Sequence, residues 1–282
     1  MTVFAAACFL FLLLTGIFCS AAAAEPRQLT VKAWTKTYPD CDACEAHAIA
    51  QTAEGGYLVA GTSGMDQNGH ALLLLKTDSG GNKLWFTTGS GNSCEGNAVI
   101  AMPPGYAAVL GGGCDTSHGA ATLTIIEDTK GAIQKNWIFE YGEHTTGTAL
   151  ISTDDGGYLF LAEGDTLAAG RNDRDLIISR IDSGGTILWT KIFSGALNDT
   201  AKSVIMAPDR GFVIAGSTIS HQSNREEILL LKLDAKGAEQ WVRTIGTEDD
   251  ETGQGIVSTG DGGYRRDCLP ARAIRGLRYP HD

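Results

Sequence analysis

Cys41 and Cys44 stand at the C-x-x-C spacing used by zinc ribbons and dithiol redox centres, where two intervening residues let both sulfurs reach one atom or each other. A zinc ribbon needs a second such pair, and the sequence has none. In an oxidising compartment the expected use is disulfide formation among Cys41, Cys44, Cys94 and Cys114, with the connectivity open and Cys268 as the odd thiol. A second cluster, Glu248-Asp249-Asp250-Glu251, gathers enough carboxylates to suggest a Ca²⁺ loop, and Asp66-Gln67-Asn68-Gly69 is similarly polar. Neither has the spacing of an EF-hand, so a solvated acidic loop is the competing reading. His47, His70, His118, His144 and His221 share no metal-ligand spacing. The sequence contains no G-x-S-x-G, H-E-x-x-H or phosphate-binding loop, so no catalytic residue is assigned and no cofactor beyond Ca²⁺ is indicated.

These residues hang on a repeat. Trp34, Trp85, Trp137, Trp189 and Trp241 are spaced by 51, 52, 52 and 52 residues. Gly56-Tyr57, Gly105-Tyr106, Gly157-Tyr158, Gly211-Phe212 and Gly263-Tyr264 repeat in a parallel register. Periods of this length belong to propellers and solenoids, whose units bury their apolar faces only against neighbours.

Within one unit four short strands are expected. The first is 46–52, with counterparts at 97–102, 148–153, 202–207 and 254–259. A Gly-rich turn, acidic in most units, leads into an apolar second strand such as Tyr57-Leu58-Val59-Ala60-Gly61 or Phe212-Val213-Ile214-Ala215-Gly216. Unbroken apolar runs of this kind suit strands covered on both faces. The third strand (72–77, 176–181, 228–233) carries a basic residue near its end. It opens into a D-x-x-G turn at Asp78, Asp182 or Asp234, and the fourth strand bears the Trp. These aspartates are expected as turn formers, because a carboxylate can hydrogen-bond the backbone two residues on. The Trp set is likewise expected to pack between neighbouring units. The expected fold is therefore all-β, a β-propeller or incomplete propeller of four-stranded blades with about 52 residues per repeat. A two-sheet β-solenoid is the structural alternative.

The pattern D-G-G-Y-x-x-A-G-S/T, then L-L-K-L-D-x-x-G-x-x-x-W, resembles the SBBP-type β-propeller repeats of secreted bacterial and archaeal surface proteins. More distantly, its Asp-x-x-Gly-x-x-x-Trp element is similar to the Trp docking motif of quinoprotein alcohol dehydrogenase-like propellers. The resemblance covers roughly residues 30–264 and implies a fold rather than an activity, since one propeller architecture hosts many functions. The second unit departs from it: Asp128 stands nine residues before Trp137 instead of seven, and Pro103-Pro104 replaces the acidic turn.

Outside the repeat, the apolar run 4–18 followed by Ala21-Ala22-Ala23-Ala24 reads as a signal peptide over residues 1–24, too short for a stable membrane span. The repeats occupy 25–264. From Arg265 a basic tail to residue 282 is expected to lack strand alternation, and a truncated or frame-shifted propeller is one explanation for it. The tail holds five Arg and two Asp, a local charge of +3, so with a formal net charge of -11 residues 25–264 carry -14. An acidic body argues against nucleic acid as a partner. The expectation is a secreted, periplasmic or cell-surface scaffold that binds an extracellular protein or glycan. The alternative is an extracellular enzyme or accessory domain, quinoprotein-like or acting on polysaccharide.

Overall fold

The computed structural model describes residues 34–39, 43–66, 69–88, 94–102, 105–112, 119–127, 130–166, 174–194, 197–219, 225–247, 250–260 and 263–270. The chain divides into two compact units, Met1–Trp34 and Thr35–Asp282. The predicted signal peptide lies outside the described residues, and among the described residues no helix is long and apolar enough to cross a membrane.

The second unit is built from antiparallel β-meanders, the blades of a β-propeller. The first blade is β1 (Glu45–Gln51), β2 (Tyr57–Asp66), β3 (Gly69–Thr77) and β4 (Lys83–Thr88). The second is β5 (Glu95–Met102), β6 (Tyr106–Gly112), β7 (Ala121–Glu127) and β8 (Ala132–Phe139). The third is β9 (Glu143–Ser152), β10 (Tyr158–Asp165), β11 (Arg174–Ile181) and β12 (Ile187–Phe193). The fourth is β13 (Asp199–Met206), β14 (Phe212–Ile219), β15 (Glu226–Leu233) and β16 (Glu239–Ile245). A terminal hairpin follows, β17 (Glu251–Ser258) and β18 (Tyr264–Pro270). Within each blade the strands pair in sequence order, and a single bridge, Gly112 to Thr146, links the second and third blades.

Burial follows the strand order. The second and third strands are covered on both sides, as in β10 and β15, whereas the fourth strands are mostly exposed, as in β12 and β16. What covers them is the neighbouring blade. Leu58, Ala60 and Leu74 of the first blade share a core with Val99, Val109 and Ile126 of the second. The second and third blades meet around Leu110, Leu123, Leu150 and Phe160, and the third and fourth around Leu161, Ile178, Val204 and Ile214. No blade is apolar enough inside to stand alone; the hydrophobic stabilisation lives at the junctions.

The tight turns follow the residues anticipated for them. Asp182 Oδ1 accepts the N–H of Gly184 and of Thr186, both at 2.8 Å, and Asp78 and Asp234 make the same pair of bonds in their blades. Those N–H bonds hold the carboxyls of Asp78 and Asp182 below the usual carboxylate range, the Asn82 side chain contributing most at Asp78 and the Thr186 N–H most at Asp182. The glycine ending each turn has positive φ, +87° at Gly185.

At the C-terminal end strand pairing continues past Tyr264: β18 runs to Pro270 and pairs with β17 from Ser258–Tyr264 to Glu251–Pro270. The pairing is made by the backbone, which Arg265 and Arg266 supply as well as any residue, so a polar sequence can occupy a strand that an apolar pattern would not announce.

Candidate functional site

The two ends of the blades differ. At one end lie the short hairpin turns between first and second strands and between third and fourth strands. At the other lie the connections from second to third strand and from blade to blade, which vary in length and sequence. Recognition residues are expected on such variable connections and on whatever the scaffold raises beneath them.

What it raises is a repeated β-bulge. In β1 the pairing with β2 skips His47, in β5 it skips Asn97, in β9 Thr148, in β13 Lys202 and in β17 Gln254. In three blades the opposite strand makes room for the bulge with a glycine. A Cβ on Gly61 would lie 1.9 Å from the Glu45 carbonyl oxygen, on Gly111 1.6 Å from that of Glu95, and on Gly216 1.9 Å from that of Thr200. In these blades a Gly within the second strand admits the carbonyl that the bulge pushes inward, whereas the third blade makes the same bulge opposite Ala162 and the terminal hairpin opposite Cys268, so Gly eases the bulge without being required for it. A bulge re-aims the side chain of its extra residue, so each blade presents one polar side chain at the same place, and every one is different.

Neighbouring bulges are stitched together. Asn97 Nδ2 donates to the Gly147 carbonyl at 3.1 Å, and Thr148 Oγ1 donates to the Ala201 carbonyl at 2.7 Å, equivalent bonds one blade apart. Because the Asn97 amide nitrogen is committed to Gly147, its oxygen faces His47 Nδ1 at 3.0 Å, which assigns the imidazole proton to Nδ1. His47 Nε2 then looks toward Glu45, 3.7 Å away.

The third blade adds a carboxyl. Glu163 occupies the place held by Thr62 in the first blade and Ser217 in the fourth, as judged from its pairing with Thr146. Burial raises the pKa of its carboxyl, against the opposing charges of Arg174 and Lys202 and a bond from the Ala201 backbone. A folded-state pKa above the unfolded value of about 4.3 means that the native state binds the extra proton, so this group's contribution to stability declines as pH rises through that window. Glu163→Gln keeps an acceptor for Ala201 and removes the titration. Its melting temperature is expected to exceed that of the parent at neutral pH and to converge on it toward pH ~4, as melts across a pH series would show; a pH-independent difference would contradict the assignment.

The other sequence candidates are placed as follows. Trp85, Trp137, Trp189 and Trp241 are half-buried against successive blade cores. Trp34, the last residue of the first unit, is 42% exposed. Trp85, Trp137 and Trp189 lie against Gly131, Gly185 and Gly237, the turn glycines of the following blade. In β8 the Trp has slid two residues, so that Leu123 rather than the end of β7 stands opposite Trp137; an even shift keeps it on the same face. Cys44 and Cys94 are each disulfide-bonded, while Cys41 and Cys114 lie outside the described residues.

Of the acidic cluster, Glu248 and Asp249 lie outside the described residues. Asp250 Oδ1 accepts the N–H of Glu226, the first residue of β15, as Asn198 Oδ1 accepts that of Arg174 one repeat earlier. Glu251 is buried and accepts from the Thr247 N–H at 3.0 Å and from its hydroxyl. Asp250 is thus tied to the start of β15 and Glu251 to its own connection. Among the described residues no group of three or more His, Cys, Asp or Glu is placed to hold a metal. Gln67 and Asn68 of the other polar loop are not among the described residues.

The bulge residues were missed in the sequence because they share no residue type. Their spacings, 50, 51, 54 and 52, and the Gly or Ala that faces the bulge from the second strand of each four-stranded blade are the signals that could have found them.

No protein-family model and no curated protein matches the chain. Solved structures similar to it include a neuraminidase-like protein of a little yellow-shouldered bat strain, at 11% identity over 76% of this chain and 62% of that one, with a TM-score of 0.46. A gluconolactonase from Xanthomonas campestris is similar at 10% identity over 78% of this chain and 68% of that one, TM-score 0.45. The WD40 domain of Pan2 from Neurospora crassa is similar at 10% identity over 82% and 88%, TM-score 0.43. The chain thus spans less than two thirds of the length of the neuraminidase-like protein. No ligand or activity transfers at this identity.

Proposed function

We propose that this protein is an exported, non-enzymatic β-propeller scaffold that binds an extracellular glycan at the bulge-bearing end of its blades. The observation that carries the reading is the bulge position itself. A frame that repeats its Trp, Gly and turn Asp in nearly every blade holds His47, Asn97, Thr148, Lys202 and Gln254 at one equivalent place. Asn97 and Thr148 each donate a hydrogen bond to the next blade, yet the residue type changes from blade to blade, and variation within a constant frame is what a recognition surface requires. The set is made of hydrogen-bond donors and acceptors, with one fixed positive charge, which suits polyhydroxylated ligands. The charge of -14 over residues 25–264 weighs against nucleic acid. Export is supported by the apolar leader and by the disulfide-bonded Cys44 and Cys94.

The test is retention of the purified protein on an array of bacterial and plant glycans, alongside assays for release of reducing sugar. Binding to a defined glycan class is expected, with affinity reduced about tenfold or more in His47→Ala/Lys202→Ala while the melting temperature stays within ~2 °C. No retained glycan would defeat the reading, and turnover would replace it with an enzymatic one.

A further inference from the structure

Every junction between blades is heterologous, made from two different surfaces. On one side stands the residue two beyond the bulge. Val99, Leu150, Val204 and Ile256 occupy this position and are 7, 6, 6 and 4% exposed, each inside the core shared with the preceding blade. On the other side stands the next residue along the strand. Ala50, Ile100, Ile151 and Ile205 occupy that position, each packed against the core shared with the following blade. The first blade's member of the first set is Ile49, and it is 66% exposed. The terminal hairpin's member of the second set is Val257, and it is 56% exposed. Ile49 and Val257 are therefore uncovered where their counterparts are sealed, and they are not packed on each other within one chain.

We propose that these two faces dock head to tail between two copies of this chain, the Val257 face of one protomer against the Ile49 face of its partner. The occupant follows from continuity with the interface already present. The chain builds the junction between these two kinds of surface four times, and a second copy is a molecule that carries both halves of it. A heterologous contact of this kind closes into a ring or runs on, according to its rotation. The polar stitching supports the same register. His47 reaches forward to Asn97, so its blade is joined on that side, while the opposite side of β1 offers Ile49 where other blades are sealed. The inference does not depend on what the bulge residues bind.

The experiment is sedimentation velocity on the full processed chain across a hundredfold concentration range, with Ile49→Asp and Val257→Asp made separately. Each residue is exposed, so neither change is expected to alter the far-ultraviolet circular dichroism or the melting temperature of the monomer. Wild type is expected to populate species above the monomer, from a chain of 29.7 kDa before processing, and each variant to weaken association by about tenfold or more. Mixing the two variants restores a one-to-one heterodimer, because Ile49→Asp retains a sound Val257 face and Val257→Asp a sound Ile49 face. A wild type that stays monomeric at every concentration overturns the proposal. So does association that both variants leave intact, or a mixture that fails to pair, since an isologous contact would not complement.

Discussion

Replacing Gly185 by Ala is expected to destabilise the protein by about 3–5 kcal/mol, whereas the same change at Gly156 costs about 1–2 kcal/mol. Both glycines lie in turns of the third blade at nearly the same φ, +87° and +81°, so the backbone penalty for adding a Cβ is shared. The surroundings differ. At Gly156 a Cβ would meet nothing within 4 Å, while at Gly185 it would stand 2.2 Å from Nε1 and 2.3 Å from Cε2 of Trp137 on the preceding blade. The indole cannot retreat without leaving the core it shares with Tyr158, 6.4 Å away between ring centroids. The turn must therefore shift, or the junction must open. Urea titration followed by Trp fluorescence and by circular dichroism measures both changes. Equal losses at the two glycines would mean that the Trp–Gly contact contributes nothing and that only the positive φ matters.

The same contact shows why so much of the fold was legible in the sequence. A Trp about every 52 residues and a turn glycine four residues before it, six in the second blade, supply the two halves of these junctions, and a contact repeated from blade to blade leaves a period in the chain. The turn aspartates, the apolar second strands and the basic residue near the end of the third strand were legible for the same reason. The bulges were not. His47 and its equivalents are set by a pairing irregularity in the backbone, and the residue opposite is Gly61, Gly111 or Gly216 in the first, second and fourth blades but Ala162 in the third, so no single residue type marks the site. Position 265–270 was illegible from the other direction: its strand is held by ladder bonds to β17, which leave no apolar signature. The acidic cluster is ambiguous in the sequence because carboxylates that accept a backbone N–H, as Asp250 does, cannot be told by composition from carboxylates that gather a cation.

Arg180→Ala is expected to cost about 2–4 kcal/mol, although the salt bridge it breaks is on its face an ordinary one. The Arg180 side chain is 6% exposed, and its guanidinium donates to both oxygens of Asp155 as well as to the carbonyls of Tyr158 and Ile181. In the fourth blade Lys232 makes the same clamp, reaching Asp209 at 2.7 and 2.8 Å and the Leu233 carbonyl at 3.2 Å. Truncation would remove one donor from each of these buried carbonyls and open a void beneath the hairpin turn, while Asp155, 64% exposed, simply hydrates. Arg210–Asp154 is the internal contrast: its partners are 77 and 57% exposed and 3.6 Å apart, and Arg210→Ala should change stability by no more than ~0.5 kcal/mol. The second blade supplies a further comparison. At the register position of Lys76, Arg180 and Lys232 it carries Ile125, buried at 7% exposure, and its turn sequence Pro103-Pro104 has no carboxylate. An apolar side chain can therefore fill this site when the acid goes too, as expected if a buried ion pair fixes geometry more than it adds net stability. Arg180→Ile should accordingly lose less than Arg180→Ala, by about 1 kcal/mol or more, in chemical denaturation at neutral pH. If the two variants were equally damaged, the loss would lie in the charge and its hydrogen bonds rather than in the space the side chain fills, and the second blade would need another explanation for its Ile.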